Sequence, residues 1–503
     1  MKNTVLKVRL WGKEVGSLRW DERKGVAYFA YSEEFLTSGL NPFPFVAPLG
    51  VAKSYLPIVG DKKKIFAGLP PFVADSLPDN WGSLVFEQWA QNQGLRSRDI
   101  TPLDKLAYIG KRGIGALEYF PESDSGLEAD NLAVDELARL ACKIYEQRSE
   151  AHFLPEESLT LQRLFEVGTS AGGRQPKAIV AINETTQEIR SGQIDGLKGF
   201  DYYILKFAVG DGYPATQMEM TYYEMACKAG LRMMPSRFLE VEGEKHFLTK
   251  RFDRIEGKKV FTQTLAALNP DAGSYEDLFD VCRRLKLPET EIREVFRFMV
   301  FNVFASNTDD HVKNISFIMS ENGEWHIAPF YDLTFTADLN MPGVRYLHCL
   351  SLKGKLDGFT VQDVKSFGVE NGVKNTSEII AQVCEAVSCF RELALKNGVP
   401  FIWVDRIERY LSTIVPDKYK EKMSSWKPNQ FSETIKGHSV SNVRFEMSAN
   451  GNIHLMAVID GFERKYVIAP KCAEYMEIME KGFNTMPDVQ KMEFVERLMF
   501  SLS

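Results

Sequence analysis

Residues Ser306-Asn307-Thr308-Asp309-Asp310-His311-Val312-Lys313-Asn314-Ile315-Ser316 form the stretch that decides the fold. Most of these residues are polar or charged, yet a strongly apolar run, residues 295–304, leads directly into them. The density of large apolar side chains in that run predicts a helix that is buried on nearly all sides. Such a helix would deliver an acid, an imidazole, an ammonium and an amide onto one short loop. Holding these polar groups beside a buried helix costs folding free energy, which indicates that the loop has a function.

The spacing inside this loop indicates phosphoryl transfer. Asp309 and Asn314 lie five positions apart, which is the separation between the base and the magnesium-binding amide in the catalytic loop of kinases. A further carboxylate, Asp332, closes the apolar run 327–331. We therefore predict a phosphoryl-transfer site in which Asp309 is the base, and in which Asn314 and Asp332 hold Mg²⁺.

Two other interpretations of the loop remain open from the residues alone. Asp, Asn and Ser collect in any turn, because their side chains bond to neighbouring backbone groups. Asp309, Asp310, His311 and His326 could instead supply the ligands of a hydrolytic metal centre.

Composition restricts the class of protein. A chain of 503 residues is too long for one ordinary core and predicts three or four structural units. The net charge of −7 argues against a large nucleic-acid footprint on this chain. The first residues do not resemble a signal peptide, no stretch is apolar enough for a membrane span, and the seven scattered cysteines are typical of a reducing cytoplasm.

Small residues fill the segment 167–177, and the strand-like run 178–182 follows it. Small residues let backbone N–H groups close around phosphate oxygens, so the pattern predicts a strand–loop–strand phosphate flap. A flexible surface hairpin is the alternative. The triplet Gly110, Gly113 and Gly115 is interpreted differently, as a tight turn that connects two strands.

A single lysine, Lys206, interrupts the apolar strand pattern 202–207. A lysine in such a strand indicates contact with an anion, as for the strand lysine that serves the ATP phosphates in kinases. The predicted helix 218–229 offers Glu219 and Glu224 as partners, and Glu219 is preferred.

Two further segments have a predicted place in the architecture. Residues 250–254 follow a predicted strand, and they are either the connector whose backbone meets adenine or a salt-bridged turn between lobes. After Pro416 the pattern predicts a hairpin, a third strand and two amphipathic helices, which form a small α+β appendage.

With these motifs in order, the sequence resembles the HipA family of serine/threonine-kinase toxins from bacterial type II toxin–antitoxin modules. The resemblance covers most of residues 1 to about 410. It implies an α+β, protein-kinase-like fold with two lobes, a mixed α/β N-terminal half and a largely helical C-terminal lobe. The motifs that carry it are Leu77-Pro78-Asp79-Asn80-Trp81-Gly82, Gly115-Ala116-Leu117-Glu118, Gly172-Gly173-x-x-Pro176-Lys177, Arg251-Phe252-Asp253-Arg254, Asn307-x-Asp309-x-His311-x-Lys313-Asn314 and Pro329-Phe330-Tyr331-Asp332.

The resemblance also implies a role for individual residues. Asp309 would accept the proton, Asn314 and Asp332 would coordinate Mg²⁺, and Glu219 would pair with the strand lysine. Ser170 occupies the position of an autophosphorylated serine in the family. The residues implied in ATP binding are Gly172, Gly173, Arg174, Gln175, Lys177, Lys206, Lys250, Arg251, Phe252, His311, Lys313 and Tyr331.

Partners follow from the resemblance as expectations. The family's namesake phosphorylates glutamate–tRNA ligase, and a small helix-turn-helix antitoxin that also binds the operon's DNA restrains it. This chain would therefore act on a protein, inhibit growth, and contact DNA only through an antitoxin. Two departures from the namesake, Lys250 in place of an acidic residue and Pro176 in the flap, put the dynamics of the nucleotide loop in question.

The expected division of the chain follows the motifs. Residues 1–120 would form a HipA-type N-terminal α/β subdomain, residues 121–255 the nucleotide-binding region, residues 256–415 the helical lobe with the catalytic loop, and residues 416–503 the appendage. A catalytically silent scaffold bound to an antitoxin–DNA complex is the alternative to a kinase.

Overall fold

The computed structural model describes residues 4–51, 54–55, 62–78, 80–92, 94–96, 100–122, 132–147, 157–168, 175–210, 212–337, 347–420, 423, 432–435, 438–447, 452–460, 462–468, 476 and 496. Within these residues no helix has the length and apolarity needed to cross a membrane.

The N-terminal region is built on a five-stranded antiparallel sheet in the order β4-β3-β2-β1-β5. Strands β1 and β2 pair as the first antiparallel hairpin of this sheet. The glycine triplet, however, lies between helix α5 and strand β5, so the prediction of a turn between two strands is wrong. Helix α5 begins with a capping box of Thr101 and Asp104, and Pro102 occupies its first turn. The glycines that follow this helix obscured its signal in the sequence. The elements are β1 (Val5–Leu10), β2 (Lys13–Asp21), β3 (Val26–Tyr31), α1 (Glu33–Leu36), β4 (Ser54–Tyr55), α2 (Lys62–Ile65), α3 (Pro71–Ala74), α4 (Asn80–Asn92), α5 (Pro102–Ile109) and β5 (Leu117–Phe120).

A second five-stranded antiparallel sheet, in the order β7-β6-β8-β10-β9, follows it. A helix, α7, precedes the small-residue segment and ends at Gly168, so the prediction of a strand on both sides of that segment is wrong. The apolar spacing in 158–168 is helical, and the glycines beyond it masked that signal. The elements are α6 (Val134–Gln147), α7 (Ser158–Gly168), β6 (Lys177–Ile182), β7 (Ile189–Ser191), β8 (Asp201–Lys206), α8 (Ala215–Lys228), β9 (Ser236–Val241) and β10 (Glu244–Lys250).

The following region is mainly helical and carries one three-stranded sheet, β13-β14-β15. Residues 347–353 form no regular strand, and only isolated bridges occur there, such as Ser274 with Ser351. The elements are β11 (Arg254–Ile255), β12 (Lys258–Lys259), β13 (Phe261–Thr264), α9 (Leu265–Leu268), α10 (Tyr275–Arg284), α11 (Glu289–Ala305), β14 (Ser316–Met319), β15 (Trp325–Ile327), α12 (Val361–Glu370), α13 (Thr376–Ser388), α14 (Phe390–Lys396) and α15 (Phe401–Ile414).

The C-terminal segment contains a four-stranded antiparallel sheet of β16 (Ser432–Ile435), β17 (His438–Met447), β18 (Ile453–Ile459) and β19 (Phe462–Ile468). Alternate residues of β18, namely Ile453, Leu455 and Ala457, are buried in the same hydrophobic cluster as the helical lobe. The strands of the predicted appendage are therefore confirmed, and the two helices expected after them lie outside the described residues.

A buried charge cluster fastens the connector after β10 to the N-terminal region. Arg251 and Asp253 form a bidentate pair, with Nε–Oδ1 and Nη2–Oδ2 distances of 2.8 and 2.7 Å. Asp253 also accepts the Gly115 N–H at 2.7 Å, while Arg254 donates to the carbonyl oxygen of Gly113. Two of the sequence motifs are thus one structural joint.

This joint generates a prediction about stability. Asp253 is buried between two arginines, and although burial opposes ionisation, the two guanidinium groups hold the pKa of its carboxyl well below the ordinary value. Replacing Asp253 by Asn leaves these cations without their counter-charge, and we expect a loss of about 3–5 kcal/mol in unfolding free energy, measured by urea denaturation.

The matched control is Asp417→Asn, because Asp417 is exposed in its pair with Lys420, and a surface pair of this kind contributes little to stability. The pKa of Asp253 is lower in the folded than in the unfolded protein. Its ionised carboxylate therefore stabilises the folded state fully above the unfolded pKa, and this contribution is lost as the pH falls. The difference in unfolding free energy between wild type and Asp253→Asn should thus shrink below about pH 4. Equal losses in both variants at neutral pH would contradict the joint.

Candidate active site

Helix α11 places the catalytic loop. Every residue of 295–305 except Arg297 is buried, which confirms the predicted buried helix. The helix ends at Ser306, whose φ of +52° is left-handed, a conformation that turns the chain sharply and that a non-glycine residue rarely adopts. Tyr222 donates to the carbonyl oxygen of Ala305 at 2.5 Å. The exit of the loop from the helix is therefore fixed.

Two adjacent carboxylates in this loop have opposite environments. The side chain of Asp309 is 57% exposed, whereas that of Asp310 is 0% exposed. Asp310 accepts hydrogen bonds from the Tyr275 hydroxyl, His348 and two backbone amides. Only Asp309 can therefore meet a substrate that arrives from solvent.

One threonine braces the loop from the segment after Asp332. The hydroxyl oxygen of Thr336 accepts the N–H of Thr308 at 2.7 Å and that of Asp309 at 3.2 Å. The same hydroxyl donates to the carbonyl oxygen of Ser306 at 3.4 Å. The backbone on the N-terminal side of Asp309 is thus held by a single side chain.

A buried ion cluster lies across from this loop. The ammonium of Lys206, on β8, bonds to Glu219 on α8 and lies 2.5 Å from Oδ1 of Asp332. Glu224, the other partner considered from the sequence, pairs with Lys396 instead. Although burial opposes it, the two carboxylates raise the pKa of Lys206, so this lysine is held in its charged form.

The two carboxylates around Lys206 differ in their titration. Burial acts to raise the pKa of Asp332, but the charges of Lys206 and then Lys177 hold this pKa well below its ordinary value. Burial raises the pKa of Glu219, although Lys206 acts in the other direction. Asp332 therefore stays ionised, and its backbone is in the left-handed region at φ +56°, a strained conformation that is found at functional sites.

Two cationic or ionisable residues of the catalytic loop, His311 and Lys313, follow Asp309. Nε2 of His311 lies 3.8 Å from Oδ1 of Asp309, and the charge of His311 also lowers the pKa of Asp332. The ammonium of Lys313 is exposed and has no carboxylate partner among the residues that the structure describes. It is a cation available to an anionic ligand.

The donor set fits a magnesium ion. Nδ2 of Asn314 donates to the carbonyl oxygen of Asp309 at 2.9 Å, which leaves the amide Oδ1 as the atom for a metal. Together with the ionised Asp332, this gives two oxygen ligands. Mg²⁺ prefers a few protein oxygens completed by phosphate and water, so the residues suit that ion when it comes with a nucleotide.

The connector after β10 is only partly available to a ligand. The N–H groups of Lys250 and Arg251 already donate to the carbonyl oxygens of Pro235 and Tyr202. The predicted contact of the backbone of residues 250–252 with adenine stays a prediction, and the Arg251 side chain is buried against Asp253. It belongs to the joint described above.

An aromatic pair joins this connector to the catalytic loop. The ring of Phe252 stacks on Tyr331, with centroids 5.7 Å apart. The hydroxyl of Tyr331 donates to the carbonyl oxygen of Lys313 at 3.0 Å. The side chain of Lys250 points elsewhere and pairs with Asp201 at 2.8 Å.

The end of the small-residue segment is anchored at β6. Lys177 is buried opposite Lys206 in the sheet register. The indole N–H of Trp81 donates to its carbonyl oxygen at 2.8 Å, and the carbonyl oxygen of Pro176 accepts the N–H of Phe207. Gln175 is half-buried at the border of the described residues. The expected residues Ser170, Gly172, Gly173 and Arg174 lie outside them.

The metal-hydrolase interpretation is contradicted. Asp310 is buried and saturated by protein donors, and His326 bonds to Glu291 at 2.7 Å. Within the described part of the chain, no three His, Cys, Asp or Glu side chains converge as a metal site.

Sequence reasoning missed three residues of this site: Trp81 as an anchor of β6, Thr336 as a brace of the loop, and Cys349. Oδ1 of Asp309 lies 3.9 Å from Sγ of Cys349. Burial first, and then Asp310 and Asp309, raise the pKa of this thiol to about 11. None of these contacts has a local signature, although Trp81 lies in one of the quoted motifs.

Comparisons with known proteins agree with this architecture. Family models for the HipA N-terminal domain and the HipA-like C-terminal domain match residues 6–120 and 169–389. A protein of Sinorhizobium fredii with the provisional kinase name Y4mE is 26% identical over 359 residues, which are 66% of this chain and 78% of that protein. A second provisionally named kinase, from Haemophilus influenzae, is 25% identical over 208 residues, or 36% of this chain and 58% of that protein.

A solved structure gives the fold. HipA of Shewanella oneidensis, in a complex with HipB and operator DNA, superposes with a TM-score of 0.58 at 16% identity, and covers 83% of this chain and 99% of its own. The expected α+β, kinase-like fold is therefore confirmed.

The bracing of the loop can be tested directly. We expect Thr336→Val to free the N–H groups of Thr308 and Asp309, and to lower the unfolding free energy by about 1 kcal/mol. Amide hydrogen exchange of a peptide covering residues 306–310 should accelerate, while exchange in β6 stays unchanged. Thr334→Val is the matched control, since the same substitution two residues away removes no hydroxyl from the loop. Unchanged exchange in Thr336→Val would contradict the bracing.

Proposed function

The chain belongs to the HipA family, and we propose that it is an ATP-dependent kinase that transfers the γ-phosphate to a serine or threonine of a protein. One observation carries the proposal: Lys206 bonds both Glu219 and Asp332 across from the exposed Asp309. A strand lysine, its helix glutamate and a carboxylate after the catalytic loop are the recurring parts of a kinase site.

Each residue would have a defined task in the reaction. Asp309 would accept the proton of the acceptor hydroxyl as the phosphoryl group moves. Lys206 and Lys313 would offset negative charge on the phosphates. Asn314 and Asp332 would hold Mg²⁺, which neutralises phosphate charge when it is bound. The protein's contribution is otherwise alignment, because phosphoryl transfer needs little covalent help.

The nucleotide would lie between the two sheets and the helical lobe. Its phosphates would meet Lys177, His311, Gln175 and the segment with Gly172, Gly173 and Arg174. The adenine ring of the nucleotide would lie at the connector after β10. Since the N–H groups of Lys250 and Arg251 are occupied, we propose that adenine contacts the stacked pair Phe252 and Tyr331 there.

Autophosphorylation and partners are part of the proposal. Ser170 would be the autophosphorylated residue, because it belongs to the small-residue segment that leads to Lys177. A helix-turn-helix antitoxin is supported as the restraining partner by the complex of Shewanella HipA with HipB and operator DNA. DNA would be contacted through that partner, glutamate–tRNA ligase is a candidate substrate, and growth inhibition is the expected outcome.

A catalytically silent scaffold is the second candidate function. It would need only the surface that binds an antitoxin. The exposed base and the ionised cluster around Lys206 argue against it, because burying an ion cluster is not required for a docking surface.

Replacing the base tests the proposal. Asp309→Asn should lower transfer from radiolabelled Mg²⁺-ATP by about 10²–10⁴-fold, because the acceptor proton loses its destination. Phosphate found on Ser170 by peptide mass spectrometry of the wild-type protein should be absent in this variant. Growth inhibition by the wild-type protein should vanish with it.

The control is Glu321→Gln, which changes an exposed acid in the turn between β14 and β15. It should retain wild-type transfer. Phosphoryl transfer by Asp309→Asn at the wild-type rate would show that Asp309 is not the base. Growth inhibition that survives this substitution would favour the scaffold function.

A further inference from the structure

We propose that Asp310 is a positioning residue, which clamps residues 347–351 onto the catalytic loop so that the acceptor substrate meets Asp309 at a fixed place. This inference rests on the proposed kinase function, and it adds a residue on the acceptor side of the site. The face that receives the acceptor would be the exposed edge of 347–351.

The clamp is a carboxylate whose acceptor positions are all filled. Oδ1 accepts the N–H of Cys349 at 2.7 Å and that of Leu350 at 3.3 Å. Oδ2 accepts the hydroxyl of Tyr275 at 2.5 Å and lies 2.8 Å from Nδ1 of His348. An ionised carboxylate offers about four such positions, so three of its four donors tie it to residues 348–350.

Charge argues for a functional rather than a purely stabilising role. Asp310 has no lysine or arginine partner among the residues that the structure describes, and its side chain is completely buried. Its ion-pair partner is His348, which carries a charge only when it is protonated, and burying a carboxylate without a permanently charged partner is an inefficient way to stabilise a fold. Burial, followed by the charge of Asp310, raises the pKa of Tyr275 far above its ordinary value, so this tyrosine remains a proton donor to the clamp.

The clamped segment lies beside the base. The N–H of Cys349 also donates to the carbonyl oxygen of Thr308 at 3.1 Å, and its thiol faces Asp309. Leu347 is 55% exposed, and the N–H of Ser351 donates to the carbonyl oxygen of Gly273. The segment is thus fastened along its length, with Leu347 and Cys349 left open to an acceptor.

The same network reaches the entry of the catalytic loop. Nδ2 of Asn302, on α11, donates to the hydroxyl of Tyr275 at 3.1 Å. Its Oδ1 accepts from Nδ2 of Asn307 at 2.9 Å. One buried hydrogen-bond network therefore fixes the loop and the segment 347–351 relative to each other, while it makes no contact with Lys206.

Asp310→Asn is the test, and Asp309→Asn is the matched comparison, because it removes a charge one residue away and changes none of the four hydrogen bonds of the clamp. Its one contact with the segment is that of Oδ1 with Sγ of Cys349 at 3.9 Å. In Asp310→Asn, hydrogen exchange of a peptide covering 347–352 should accelerate about tenfold or more, since a lost buried hydrogen bond is worth about that factor. In Asp309→Asn this exchange should remain near the wild-type rate.

Thiol labelling separates a local from a global effect. Removing the charge of Asp310 or Asp309 lowers the pKa of the Cys349 thiol by itself, so reaction with iodoacetamide is followed over a pH series and the rate constant of the fully ionised thiolate is compared. Release of the segment would give the reagent easier access to Cys349 and raise that rate constant. We expect this acceleration to be larger in Asp310→Asn than in Asp309→Asn. The buried Cys282 and Cys384 should react as slowly as in the wild type.

Kinetics would then connect the clamp to the reaction. With dephosphorylated casein as the acceptor, Asp310→Asn should raise the KM for casein and leave the KM for ATP unchanged. Tyr119→Phe, which removes a buried hydroxyl bonded to Ser76 far from the site, controls for the loss of one internal hydrogen bond and should change neither KM.

The outcomes are distinguishable. Wild-type exchange, labelling and KM values in Asp310→Asn would overturn the proposal, and so would parallel acceleration at Cys282 and Cys384, which would make Asp310 only a stabilising residue. If the wild-type protein transferred no phosphate at all, the proposed kinase function would fail, while exchange and labelling would still decide whether the clamp exists.

Discussion

The ion pair of Lys206 with Asp332 is the interaction on which the site depends, because it connects a strand of the second sheet to the end of the segment that follows the catalytic loop. Lys206 is buried and Asp332 is half-buried, so the charge of the lysine in particular is costly unless it is matched. Glu219 supplies a second carboxylate from α8, and together the three groups fix a helix, a strand and a loop at one point. That point is where the phosphates of a nucleotide would need a cation and a metal ligand.

The neighbouring residues Asp309 and Asp310 show how environment, and not residue type, assigns a role. The same side chain serves as an exposed base at one position, and as the centre of a saturated, buried hydrogen-bond network at the next. The left-handed Ser306 ends α11 three residues before Asp309, and in the loop that follows Asp309 is exposed while Asp310 is buried.

Much of the fold could be predicted from the sequence where the signal is local. The apolar periodicity of α11 and α6, the lone lysine of β8 and the five-residue spacing of Asp309 and Asn314 are of this kind. The errors arose where glycines dominated a segment and concealed a neighbouring helix, as in α5 and α7. Contacts such as Thr336 with the loop, or Asp310 with His348, join residues 28 and 38 positions apart. They have no signature in one sequence, because only the folded chain brings them together.

The central claim is that the cluster around Lys206 and the loop of Asp309 bind a magnesium nucleotide as one site. The most direct measurement is a crystal structure of the full chain with Mg²⁺ and a non-hydrolysable ATP analogue. We predict a magnesium ion about 2.1 Å from Oδ1 of Asn314 and from the carboxylate of Asp332, with the γ-phosphate facing Asp309 and the phosphates contacting Lys206. A nucleotide bound elsewhere, or one whose metal contacts neither Asn314 nor Asp332, would contradict the account.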